Sequence, residues 1–149
     1  MKNFILMFAM VVVTSAPAAL AQSNNQLVKD PWTKSQLMEP GRLATLLKDP
    51  KAKKPLIYNI GVVEDIPGAL NMGGVSEQAN LIKFKKAIST LSKTSSVVVY
   101  CGCCPFTRCP NIRPAFLAMQ QAGLKNGRLL NLPTNIKTDW ISKGYHLKK

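Results

Sequence analysis

A chain of 149 residues with no internal repeat points to one domain. It carries 20 Lys and Arg against 7 Asp and Glu, a formal +13, yet 46% of it is apolar. That apolar share excludes a disordered polyelectrolyte, because enough surface can be buried to offset the ordering entropy. The four cysteines all fall between Cys101 and Cys109, so a disulfide-stapled miniprotein is excluded too.

In chain order, Lys2, the apolar run Phe4 to Val13 and Ala19-Leu20-Ala21 have the layout of a secretory signal peptide over residues 1–21. The run is about ten residues, half of what spans a bilayer. Losing only Lys2 among the charged residues leaves +12, and the expected location is secreted or periplasmic, with no stable membrane insertion. Residues 22–39 read as an N-terminal leader in which Thr33 or Ser35 caps a short turn, and 40–149 as the domain. Pro40-Gly41 introduces a helix over Arg42 to Leu47, stopped at Asp49-Pro50. Pro55 to Ile60 is a β-type run, and Pro67-Gly68 marks a turn.

Leu81, Phe84, Ile88 and Leu91 share one face of a helix over Glu77 to Leu91. Val97-Val98-Val99-Tyr100 is a continuous β-branched run suited to a strand covered on both faces. A helix over Ala115 to Ala122 closes at Gly123, and Asn111 is its candidate N-cap. Arg128 to Leu132 is a short strand, and Thr138 to Ser142 a last helical turn ending at Gly144. Strands alternating with helices imply an α/β fold, a mostly parallel central sheet with helices on both faces. Ligands in such sheets sit at the C-terminal strand ends, which is where Cys101 falls.

The segment Cys101-Gly-Cys-Cys-Pro-Phe-Thr-Arg-Cys-Pro-Asn-Ile-Arg-Pro114 links that strand to the next helix. A thiol before a helix N-terminus, near Arg108 and Arg113, is expected to ionise more readily than the ordinary pKa of about 8.5. The same amides and guanidinium groups suit a small sulfur oxyanion. Gly102, Cys103, Cys104 and Arg113 are the candidate substrate contacts, with Cys101 and Arg108 as the reacting pair.

Several stretches resemble single-domain rhodaneses. These are Ile66-Pro-Gly-Ala-Leu-Asn71, Val97-Val-Val-Tyr-Cys101, the helix ending Ala122-Gly123, Leu130-Asn-Leu132, Trp140 and Gly144-Tyr145. The resemblance spans roughly residues 40–147 and implies a rhodanese-like fold in which Cys101 carries sulfane sulfur as a persulfide. It implies a sulfur-oxyanion or persulfide donor, a thiol acceptor, a monomer and no cofactor. The chain departs from the family where the usual Asp-x-Arg reads Asn59-Ile60-Gly61, where the family's Gly-Gly pair reads Pro133-Thr134, and in a Cys loop about five residues longer.

Other readings stay open. Cys101 is alternatively a packed core thiol. Cys103, Cys104 and Cys109 are resolving thiols or partners in a disulfide such as Cys104–Cys109, whereas a vicinal Cys103–Cys104 bridge would be strained. Four thiolates within nine residues also suit a soft metal, although their spacing matches no ordinary zinc knuckle and no metal ligand is assigned. A thioredoxin-like Cys101-x-x-Cys104 would start its helix directly, which Pro105 and Pro110 prevent. His146, the one histidine, reads as a solvated tail residue. The lysines are not interleaved with aromatics, so nucleic acid is not an expected partner, and the positive charge reads as attraction for anions.

Overall fold

Val97, Val98 and Val99 are all fully buried, and the sheet is assembled around them. The computed structural model describes residues 30–149; the signal-peptide reading of 1–21 lies outside these. Five strands, β1 (Leu37–Met38), β2 (Leu56–Asn59), β3 (Ala69–Asn71), β4 (Ser96–Tyr100) and β5 (Asn126–Leu130), pair in the order β1-β5-β4-β2-β3. Every pairing is parallel, with Tyr58 opposite Val99 and Val99 opposite Leu129. Three helices connect them, α1 (Pro40–Lys48), α2 (Gln78–Ser89) and α3 (Ile112–Gln121), and α4 (Ile136–Asp139) follows β5. At this level the molecule is the parallel α/β arrangement of a rhodanese-like fold.

The period-two alternation of side chains sorts β4 between two cores. Val97 and Val99 join Tyr58, Phe84, Ile88, Phe116 and Met119 beneath α2 and α3. Val98 and Tyr100 join Ile57, Leu43, Ile136 and Trp140 beneath α1 and α4. Cys101 continues the odd-numbered series, so its side chain enters the α2/α3 side. Burial on both faces explains why β4 reads as an unbroken apolar run.

α3 begins at Ile112, directly after Asn111 as the sequence suggested, whereas β5 lies two residues earlier than the run 128–132 suggested. The short strand β3 was not expected, since Leu70 and Asn71 are exposed and lack an apolar pattern. Residues 30–39 pack against the rest of the described chain. Trp32 packs edge-on to Phe106 and Phe116, with ring centroids 5.1 and 5.6 Å apart. β1 forms the sheet edge beside β5. Thr33 precedes the expected turn, Lys34–Gln36, and its N–H donates to Gln36 Oε1 at 2.9 Å.

Tyr100 fixes the loop after β2. Its hydroxyl donates to the Glu64 carbonyl at 3.1 Å and accepts from the Ile66 N–H at 2.9 Å. Burial pushes its pKa well above the phenolic range, so it stays neutral. Tyr100→Phe leaves the buried Ile66 amide without its acceptor. It should lower stability by about 1–3 kcal/mol in denaturant unfolding, and an unchanged midpoint would show that the loop is held by other contacts.

Candidate active site

Three sulfur atoms meet at the C-terminal end of β4. Cys101 Sγ lies 3.1 Å from Cys103 Sγ, and Cys103 Sγ lies 3.4 Å from Cys104 Sγ. The sulfurs of Cys101, Cys103 and Cys109 all fall within 4.8 Å of one another. Their exposure is graded: Cys101 is 1% accessible and Cys109 5%, Cys104 is half-buried and Cys103 exposed. All four are thiols, and Cys109 is directed to Cys101, not to Cys104.

The backbone makes this meeting possible at two glycines. Gly102 adopts φ +71°, which glycine reaches without the steric cost of a Cβ. A Cβ there would lie 2.8 Å from Ile136 Cβ, while the Gly102 carbonyl accepts from the Ile136 N–H at 2.9 Å. The chain therefore doubles back at Gly102 and sets Cys103 over Cys101. Gly61 is the second glycine: a Cβ on it would stand 2.7 Å from Cys101 Sγ and 2.8 Å from the Cys101 carbonyl. The sulfur occupies space that any side chain at position 61 would take.

Asn111 does not cap α3 with its side chain, as the sequence suggested. It is 4% exposed, donates through Nδ2 to Cys101 Sγ at 3.2 Å, and accepts the Ser76 N–H at 2.7 Å. The amide is thus oriented from one side by the segment before α2 and presented to the sulfur on the other. Sequence reading missed it as a site residue because Asn before a helix is usually explained by capping. The signal for Gly61 was visible as the departure from Asp-x-Arg, but its reason was not.

The electrostatics also differ from expectation. Cys101 is lowered from an ordinary value of 9.0 to about 6, chiefly by the Cys109 thiol donating to it. Burial opposes this, and the Cys103 N–H, the Cys103 thiol and the Asn111 amide add to the lowering. The amides of Asn111 and Ile112, at the start of α3, donate to Cys109 sulfur instead. Cys109 is raised well above the thiol range, first by its bond to Cys101, then by burial and the Cys101 charge. Cys103 is pushed up to about 12 by burial and by its bonds to Cys101 and Cys104. The lowered Cys101 beside raised Cys103 and Cys109 makes Cys101 the first of the three close sulfurs to ionise, the charge being shared with its donors.

Both arginines proposed as cationic contacts flank the cysteine loop. Arg113 Nη2 donates to Asp30 Oδ1 at 2.6 Å, and the guanidinium stands 5.3 Å from the centroid of the Trp32 ring. Arg108 is exposed at the end of a 3₁₀ turn, Phe106–Arg108. That turn absorbs the extra loop length: Phe106 is buried and its N–H donates to the Pro133 carbonyl at 3.2 Å. The amides of Arg108 and Cys109 donate back to the carbonyls of Pro105 and Phe106. The N–H groups of Phe106, Arg108 and Cys109 are thus taken up within the fold, and those of Cys103, Asn111 and Ile112 face the sulfurs. His146 is exposed, and its carbonyl accepts from Trp140 Nε1 at 2.9 Å.

No protein-family model and no curated protein matches the sequence.

The charge arrangement fixes a pH dependence. A thiol whose folded pKa lies below its unfolded value stabilises the fold above the unfolded pKa, and that stabilisation is lost as pH falls through the folded one. For Cys101 the contribution therefore grows from about pH 6 toward pH 9. Raised Cys103 and Cys109 act oppositely above pH 9. Ultraviolet titration of reduced protein should show one thiolate with a midpoint near 6. Cys109→Ala removes the largest lowering contribution and should move that midpoint upward; an unmoved midpoint would overturn the assignment of Cys109 as its principal donor.

Proposed function

We propose that the protein is an exported rhodanese-like sulfurtransferase in which Cys101 accepts sulfane sulfur as a persulfide. The reading is carried by one observation: Cys101 Sγ stands at a parallel strand end with thiol and amide donors converging on it. A nucleophilic thiolate needs that kind of support where burial would otherwise keep it protonated.

With thiosulfate as donor, the Cys101 thiolate attacks the outer sulfur, the S–S bond breaks and sulfite departs with its electron pair. The product is a Cys101 persulfide anion. Cys101 is almost inaccessible, so a donor must displace Cys103, the exposed member of the cluster. The positive net charge favours approach of an anion.

Reduced protein mixed with thiosulfate should release one sulfite per chain in a single turnover, and Cys101→Ser should release none. Sulfite release that persists in Cys101→Ser would place the nucleophile elsewhere and remove the basis of this reading.

A second reading is favoured by the three sulfurs lying within 4.8 Å of one another, a spacing that suits a single soft cation such as Cu(I). Titration against a chromogenic Cu(I) chelator decides it. Stoichiometric capture that is lost in Cys109→Ser supports coordination, and capture that survives in Cys109→Ser rejects this three-sulfur site.

A further inference from the structure

Cys103 Sγ lies 3.1 Å from the sulfur that would carry the persulfide, within contact of it and on the same chain. The turn at Gly102 fixes this approach, because its positive φ and its packing on Ile136 leave the chain no other course there. The contact is to Cys101 Sγ itself, the inner sulfur of a persulfide formed on it. Cys103 is also the exposed thiol of the three clustered sulfurs, whereas Cys109 is buried beneath them.

We propose that Cys103 resolves the Cys101 persulfide within the chain, so that the protein reduces sulfane sulfur to hydrosulfide while forming a Cys101–Cys103 disulfide. This rests on the sulfur-accepting role of Cys101 and extends it to a further activity. In the step, Cys103 sulfur bonds to Cys101 Sγ, the bond from Cys101 Sγ to the terminal sulfur breaks, and its electron pair leaves with that sulfur. The Cys103 proton goes to the departing sulfur, giving hydrosulfide. Two thiols are oxidised to one disulfide, and one sulfur of oxidation state zero is reduced by two electrons. Together with the first step, thiosulfate and two cysteines yield sulfite, hydrosulfide and the disulfide.

A further turnover requires an external dithiol, either a small molecule or a dithiol oxidoreductase. The exposure gradient directs its attack to Cys103 sulfur, which makes Cys101 the leaving group. Attack that expels the more acidic thiol is the faster direction of thiol–disulfide exchange. Cys104, with its sulfur 3.4 Å from Cys103 and outside the close group of three, has no part in forming the bond.

The test uses the full domain, reduced, freed of reductant and treated anaerobically with one equivalent of thiosulfate. Wild type should release sulfite and hydrosulfide in equal amounts, and its mass should fall by two hydrogens, with Cys101 and Cys103 joined in the peptide map. Cys103→Ser should still release sulfite, lower hydrosulfide by about tenfold or more and become one sulfur atom heavier. Wild type that retains the added sulfur, or Cys103→Ser that still yields hydrosulfide, overturns internal resolution while leaving sulfur acceptance intact. Absence of sulfite from both wild type and Cys103→Ser overturns sulfur acceptance itself and this inference with it. Should Cys103→Ser prove unstable, Cys103→Ala read by the same two products replaces it.

Discussion

A single negative charge, buried against hydrocarbon and held by dipoles, is the constraint that orders the loop. Cys101 sulfur is backed by the core that includes Tyr58, Ile60, Val75 and Phe84, where an unsupported thiolate would be strongly disfavoured. Cys109, Cys103 and Asn111 supply donors from separate parts of the loop, and each has a further anchor. Asn111 is held by Ser76, Cys109 by the first amides of α3, and Cys103 by the Gly102 turn. Removing any one of these changes the position of a donor as well as its presence. The cluster is thus better regarded as one ionisable unit than as four independent thiols.

The length of the loop follows from the same requirement. A short strand-to-helix connection could offer its backbone amides to a sulfur, but it could not bring a second and a third side-chain sulfur back to the first. The added residues form the Phe106–Arg108 turn, whose Phe106 is clamped by Trp32 and by the segment at Pro133. Trp32 is in turn covered by Arg113, itself tied to Asp30. Residues 30–32, within the stretch 22–39 read as an N-terminal leader, therefore brace the outer side of the cysteine loop. Arg113 contributes to this brace through Asp30 and Trp32.

Much of the fold was legible because it depends on local patterns that have one physical meaning. Val97 to Tyr100 could hardly be anything but a central strand, and Phe84 with Ile88 set the buried face of α2. Glycines at 123 and 144 mark helix ends through positive φ, as their positions in the sequence suggested. What escaped the sequence depended on partners distant along the chain. β3 exists because Ile57 to Asn59 offer it a parallel edge, not because Ala69-Leu70-Asn71 favours a strand. The location of Cys101 was legible, but the cause of its acidity was not. Nearby arginines and a helix N-terminus were the visible candidates, whereas the operative donors are a thiol eight residues on and an amide whose usual role is a cap.

The two departures at positions 59 and 61 explain each other when read against this site. An arginine at 61 would have to begin with a Cβ only 2.7 Å from Cys101 sulfur, so a cluster built on that sulfur requires glycine. Without a cation there, a carboxylate at 59 would lack a counter-charge in a fully buried position. Asn59 supplies the neutral alternative. Its Nδ2 donates to Asp65 Oδ1 at 2.8 Å and to the Val63 carbonyl at 2.7 Å, while its Oδ1 accepts the Gly61 N–H at 3.0 Å. An aspartate could accept from Gly61 but would meet Asp65 as a like charge. The neutral strand end at Asn59 and Gly61 therefore accompanies a site whose sulfur is supported by thiol and amide donors.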